Sequence, residues 1–380
     1  MTPFSFLTAT EIRFGRGTAD GAAQAAAGMG ARALLVHGAT AARADWLAAA
    51  VEAAGLSVAR FACPGEPDAP LIEAGVAAAR AHGAEVVLSL GGGAAIDAGK
   101  AIAALAPAAR PMTDHLEVVG RGLPLEAAPL PFIALPTTAG TGAEVTKNAV
   151  ILAPADRRKV SLRDPRMLPR LAIVDPALTD DLPRAVTLAS GLDAVTQVIE
   201  PYLCSKANPL TDALCRDAIP RGLAALATLM AGEDRDARDA LAWTSLCGGL
   251  ALANSGLGAV HGLAGVIGGM APSAPHGAVC GALLPAILAA NEAALGAAAS
   301  PRFAEVRGWI AGALGGAPAD APARLAGWAR AQGLPGLGAM GVAEAELPAI
   351  AAASAASSSM KANPAALGEA ALTDAMRAAW

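Results

Sequence analysis

The sequence has no cluster of lysines or arginines, and only 16% of its 380 residues are charged, for a net charge of −5. A phosphate backbone finds nothing to grip on such a chain, so nucleic acid is excluded as a partner and a small ligand is expected. Regular cysteine pairing is also missing. Cys63, Cys204, Cys215, Cys247 and Cys280 lie scattered without a CxxC spacing, which suits reduced thiols and a cytoplasmic location better than a disulfide framework. The opening residues, MTPFSF, lack the basic and long apolar regions of an export signal. What is present in abundance is apolar surface. At 54% hydrophobic the chain is no disordered polymer, and its length suffices for two domains, because single cores stop growing at roughly 250–300 residues.

Charge disappears altogether from residues 240–291, a stretch long enough to cross a bilayer, which takes about 20 residues. Gly248, Gly249, Gly268, Gly269, Pro272 and Pro275 interrupt it, and it carries Asn254, His261 and His276, which lipid would leave without partners. It is read here as buried core helices, with no membrane partner.

Short apolar runs at 33–36, 58–61, 85–90, 132–135 and 171–174 have strand length, and 42–54 and 71–82 read as helices between them. This alternation predicts a parallel sheet flanked by helices, with a ligand at the carboxyl ends of the strands. Beyond Pro176 the pattern changes. From 184 to 380 no period-2 strand is visible, only helical stretches punctuated by Pro201, Pro209, Pro220, Pro285 and Pro364, and 312–335 reads as loop-rich. The expected organisation is an α/β domain over 1–181 and an all-α domain over 182–380.

Two turns stand out. The run GGGAAIDAGK from Gly91 to Lys100 follows an apolar strand and opens an Ala-rich helix. Glycines there admit a diphosphate close to the backbone, and the free amides and helix dipole favour its charge. The spacing is not GxGxxG, and a plain tight turn gives the same pattern. A second turn, PTTAGTGAEVT from Pro136 to Thr146, offers three hydroxyls and two glycines up to Gly142, which suit an anionic or ribose-bearing ligand. Together the turns form one candidate nucleotide cleft.

Only five histidines occur: His37, His82, His115, His261 and His276. The last two fall in the charge-free stretch, where a bare imidazole is costly unless bonded. Asp193 shares a helix face with Gln197. An acid and two imidazoles converging from different helices could hold Fe, Zn or Ni, although histidines bonded to backbone are the commoner arrangement.

Taken in order, the FGRG run from Phe14 to Gly17, the two glycine turns, Lys159, Asp175-Pro176, the GLDA run from Gly191 to Ala194, His261 and His276-Gly277 resemble the iron-containing (group III) alcohol dehydrogenase family. The resemblance implies an N-terminal dinucleotide-binding domain, a C-terminal helical metal and substrate domain, and an active site in the cleft between them. It implies that Gly92, Gly93 and Ala94 meet the cofactor diphosphate, with Asp97 in the same motif, while Thr137, Thr138, Thr141, Asn148 and Lys159 line its ribose and nicotinamide half. It places the metal on Asp193, position 197, His261 and His276.

The sequence departs from that pattern at Gln197, where the family usually has His; an amide oxygen is a poorer ligand than imidazole for Fe²⁺ or Zn²⁺. Gly265 stands where a second His is common, and Ala94 and Ala143 each replace a common Ser. Two readings of the chemistry follow. Either a metal acts as Lewis acid while hydride moves to or from nicotinamide, or the site is metal-free and a protonated His276 or His261 donates to the oxyanion. The expected activity is NAD(P)-dependent oxidation of a small alcohol, or reduction of its carbonyl, by a homo-oligomer. A maleylacetate reductase and a dehydroquinate-synthase-like lyase are the alternatives. Cofactor choice is expected to turn on Gly38: relatives preferring NAD tend to carry Asp there, and Gly38 with Arg43 nearby predicts that NADP is accepted.

Overall fold

The computed structural model describes residues 3–380. Contacts divide it into two compact units: Thr8–Thr138 with Gly142–Thr179, and the N-terminal residues up to Leu7 with Ala139–Thr141 and Asp180–Trp380.

The first unit holds β1 (Ile12–Phe14), α1 (Ala22–Ala27), β2 (Arg32–His37), α2 (Asp45–Ala53), β3 (Ser57–Ala62), α3 (Ala69–His82), β4 (Val86–Gly91), α4 (Gly93–Leu105), α5 (Met112–His115), β5 (Phe132–Pro136), β6 (Asn148–Ala153), β7 (Arg158–Arg163) and β8 (Leu171–Val174). Six strands form one sheet in the order β1-β8-β5-β4-β2-β3, every pairing parallel. Its inner strands are buried on both faces, so successive residues serve opposite cores. Leu34, Val36 and Val87 pack with α3 and α4, whereas Ala33, Leu35 and Val86 pack with α1 and α2. That is why these strands read as unbroken apolar runs. The order reverses at β2 and β4, so their carboxyl ends mark the crevice where such sheets bind ligands.

An antiparallel hairpin of β6 and β7 lies outside this sheet. The sequence reading missed it, along with the three-residue β1. In β6 the buried residues are Ala149, Ile151 and Ala153, but the half-buried positions between them include Val150 and Leu152, so no apolar–polar alternation shows.

The second unit is helical: α6 (Arg184–Leu203), α7 (Pro209–Ala231), α8 (Arg235–Asn254), α9 (Ala259–Met270), α10 (His276–Leu295), α11 (Pro301–Leu314), α12 (Ala321–Ala331), α13 (Leu347–Ser354) and α14 (Glu369–Ala378). Two expectations are corrected here. Pro201, Pro220 and Pro285 sit inside helices rather than ending them; each forfeits a backbone hydrogen bond, and burial of the surrounding helix outweighs the loss. Residues 312–335 are mostly helical. Gly315 and Gly316, both at positive φ, make only a short break before α12.

Helix α6 is buried almost throughout its second half and packs on α7, α8 and α10. Small residues set these spacings. A Cβ on Gly191 would stand 2.5 Å from Leu226 Cδ1, one on Gly222 2.5 Å from Thr244 Cγ2, and one on Gly281 2.6 Å from Leu192 Cδ1. The charge-free stretch becomes the end of α8, then α9 and α10. Residues 276–298 are long and apolar enough to span a membrane, and 56% of that window is buried inside the protein, with α10 against α6, α9, α12 and α14.

Candidate functional site

Each unit carries one half of the candidate chemistry. In the α/β unit, β4 ends at Gly91 and α4 begins two residues later, capped by Gly92. The first amides of α4 have no partner within the helix and are a ready anion site. Gly38, directly after β2, lies against this turn: a Cβ on Gly91 would be 3.4 Å from the Gly38 amide nitrogen. The turn after β5 lies on the other side. Thr137 N–H donates to the Gly91 carbonyl at 2.9 Å, and a Cβ on Gly92 would come within 3.2 Å of Thr138 Oγ1. The structure thus brings Gly38, Gly92, Gly93, Ala94, Thr137 and Thr138 together at the sheet's switch point.

The remaining residues of this half hold positions around it. The Lys100 ammonium is fully buried, paired with Asp97 at 3.1 Å and donating to the Ala143 and Asn148 carbonyls and Thr146 Oγ1. One cation therefore ties α4 to the second turn. Burial lowers the Lys100 pKa against the pull of Asp97, and burial pushes Glu144 up to about 7 despite Lys100. Asp97 accepts from Val150 N–H, which commits both its contacts to holding the turns. Lys159, on β7, pairs with Glu66 at 3.2 Å.

In the helical unit, α6 supplies Asp193, Gln197 and Glu200, α9 supplies His261, and α10 starts at His276 and carries Cys280 one turn later. Glu200 Oε1 accepts from Val260 N–H at 2.7 Å, and its Oε2 lies 2.6 Å from His261 Nδ1. That contact assigns the Nδ1 proton to the carboxylate and turns Nε2 inward. His261 Nε2 faces Asp193 Oδ1 at 3.5 Å, yet neither atom has a hydrogen-bond partner although both are buried. Unpartnered atoms of this kind call for an explanation. His276 lies beside them, its ring centroid 5.6 Å from that of His261. Asp193, His261, His276 and Cys280 each place one donor atom within 4.8 Å of all the others.

Burial opposes charge throughout this cluster, but the partners outweigh it. Asp193 is held low by His261 and His276, His261 is raised well above its ordinary value, and Cys280 is lowered by the two imidazoles. The other four thiols are pushed up by burial, Cys63 and Cys247 to about 12.

Gln197 was expected among the ligands through its amide oxygen; its amide nitrogen donates to the Thr141 carbonyl at 2.6 Å, which fixes the side chain and leaves that oxygen free. Thr141 accordingly packs with the helical unit, where Gly140 also approaches Ser190 too closely for a side chain. Glu200 and Cys280 escaped the sequence reading. The signals were Glu200 two helical turns after Asp193 and Cys280 one turn after His276, spacings that put each pair on one helix face.

A glycine turn at the switch point of a parallel sheet and, in the other unit, a buried acid–imidazole cluster are the features of a candidate enzyme site. The family profile described as iron-containing alcohol dehydrogenase matches residues 9–176, and that of the family's C-terminal domain matches 187–380. The chain is 34% identical over 259 residues to 4-hydroxybutyrate dehydrogenase of Cupriavidus necator, covering 67% of each chain. It is 36% identical over 225 residues to lactaldehyde reductase of Escherichia coli (strain K12), covering 59% of this chain and 58% of that one. A solved 1,3-propanediol oxidoreductase matches 100% of both chains with a TM-score of 0.88 and 27% identity. The protein is therefore an oxidoreductase acting on alcohol groups and the corresponding carbonyls. It belongs to the iron-containing alcohol dehydrogenase family, which implies a nicotinamide cofactor and a divalent metal.

Proposed function

We propose that the protein interconverts a small, weakly polar alcohol and its carbonyl, with NADP(H) accepted as cofactor and a divalent metal held by Asp193, His261 and His276. The observation that carries the metal is the pair of buried, unpartnered atoms, Asp193 Oδ1 and His261 Nε2, with the His261 ring fixed from behind by Glu200. An anionic oxygen and two imidazole nitrogens are a fitting donor set for Fe²⁺ or Zn²⁺. When bound, such a metal supplies Lewis acidity toward the substrate oxygen.

The amides of Gly92, Gly93 and Ala94 would hold the diphosphate, and Thr137, Thr138, Thr141, Asn148 and Lys159 would serve the ribose and nicotinamide half, while Asp97 acts through Lys100 by keeping the two turns in register. The apolar, charge-free helices around His261 and His276 favour an uncharged substrate. NADP(H) acceptance is supported by Gly38, where a side chain would meet open space, and by Arg43, which is exposed and makes no ion pair among the described residues. Resemblance to family members supports a homo-oligomer, and five unpaired buried cysteines support a cytoplasmic location.

The test is turnover of an alcohol and aldehyde panel, followed by nicotinamide absorbance, with both cofactors before and after chelator stripping and metal reloading. Activity lost on stripping and regained with Zn²⁺ or Fe²⁺ is expected. No absorbance change across the panel overturns the substrate class, and full activity after stripping replaces the metal by a proton-donating histidine. For the cofactor, Gly38→Asp should shift selectivity toward NAD by on the order of 1–3 kcal/mol, the scale of a charge-assisted contact. A wild-type kcat/KM that already favours NAD(H) by more than about tenfold, or 1.4 kcal/mol, sinks the NADP reading.

A further inference from the structure

Resting on the metal reading above, we propose that Cys280 joins Asp193, His261 and His276 as a thiolate ligand, and that the resulting site selects zinc over iron.

Two observations converge on this. Cys280 follows His276 by one turn of α10, so both side chains leave the same helix face, and its Sγ lies 3.7 Å from His276 Nε2. Opposite them, Asp193 Oδ1 and His261 Nε2 face each other at 3.5 Å, an ion-pair distance, and neither makes a hydrogen bond among the described residues, on side chains only 3% and 7% exposed. Around a tetrahedral zinc with bonds of about 2.0–2.3 Å, neighbouring donor atoms lie roughly 3.3–3.8 Å from one another. Both measured separations are close to that edge length, and all four donor atoms fall within 4.8 Å of one another.

The chemistry of the set follows. One carboxylate oxygen, two imidazole nitrogens and one sulfur make a softer site than an acid with three imidazoles. Thiolate widens the preference for zinc over iron(II) beyond what carboxylate and imidazole donors give. Binding releases the thiol proton, and the Nε2 proton of a charged His261, to solvent as the metal bonds form, and the two anionic ligands then balance the charge of a divalent ion.

Cobalt(II) added to the chelator-stripped full-length protein tests this without reference to turnover. The wild type should show visible d–d bands together with a near-ultraviolet thiolate-to-cobalt charge-transfer band. In Cys280→Ser the d–d bands should persist, the charge-transfer band should vanish, and zinc affinity should fall about tenfold or more, while Cys63→Ser leaves all three unchanged. X-ray absorption at the zinc edge of the wild-type enzyme needs no variant, and one sulfur neighbour at about 2.3 Å is expected. A sulfur-free zinc shell, or identical near-ultraviolet spectra for wild type and Cys280→Ser, overturns the thiolate ligand and leaves the metal reading standing. Failure of the wild type to take up cobalt or zinc at all overturns the metal reading itself.

Discussion

At the scale of single residues, the buried acids carry the sharpest predictions. Glu144 is held up to about 7 by burial, from an ordinary 4.5. Between those values the unfolded chain releases this proton while the folded one keeps it, so the contribution to stability is complete below the lower value and is lost as pH rises through the upper one. The loss is roughly 3 kcal/mol. Glu144→Gln should remove that slope, raising Tm at about pH 8 relative to wild type and flattening the profile down to about pH 5; an unchanged profile refutes it. Glu200 acts through His261. Glu200→Gln keeps an acceptor for the Val260 amide but weakens the hold on the imidazole, so zinc affinity by calorimetry should drop by about 10–100-fold, with cofactor affinity unchanged. Equal zinc affinity in the two proteins would show that the ring needs no anchor.

Among the elements, α4 joins two functions that substitution can separate. Gly92 faces Thr138 Oγ1, and Gly99, further along the helix, lies so close to β4 that a Cβ would be 1.9 Å from Ser89 Oγ and 2.8 Å from Phe132. Gly92→Ala should weaken dinucleotide binding by about tenfold, or 1.4 kcal/mol, with little change in Tm. Gly99→Ala should cost about 1–3 kcal/mol of stability by overpacking and leave the affinity of the folded protein unaltered. Titration and thermal melts on the two variants decide whether the roles divide this way. Legibility also differs by element. Strands β2, β4, β5 and β8 were readable because burial on both faces leaves nothing but apolar residues, and the glycine turn announced its helix. The β6–β7 hairpin was not, because Val150 and Leu152 blur its alternation. Asp193, His261 and His276 could be picked out as rare polar groups in apolar helices. Glu200 and Cys280 were marked only by their helical spacing from Asp193 and His276, a signal too common to single them out.

For the whole molecule, the composition that hides function governs stability. Aromatics make up 3% of the chain against 42 glycines, so its helices approach through absent side chains rather than interlocking large ones. Alanine is a better helix former than glycine by about 1 kcal/mol, and that preference should prevail only where there is room. Gly308 and Gly327 lie inside α11 and α12 with nothing within 4 Å of an added Cβ, so alanine there should raise stability by about 0.5–1 kcal/mol. At Gly191, Gly222 and Gly281 the same substitution should lower it by about 1–3 kcal/mol. Denaturant melts of the five variants would refute this account if all moved in one direction.

These close helix approaches also add a second kind of fragile position to the usual map of tolerance. In most cores the fragile positions are the large side chains, since truncating them leaves a hole. Here alanine and glycine share the interior with buried leucines, isoleucines and valines. A library of single substitutions should therefore report losses at both kinds of position: about 2–5 kcal/mol where a large side chain is truncated, and about 1–3 kcal/mol at α6, α7 and α10 glycines, where a gain of one methyl cannot be absorbed. The sequence is free to drift among small residues on its surface, and at those helix crossings it has almost nowhere to go.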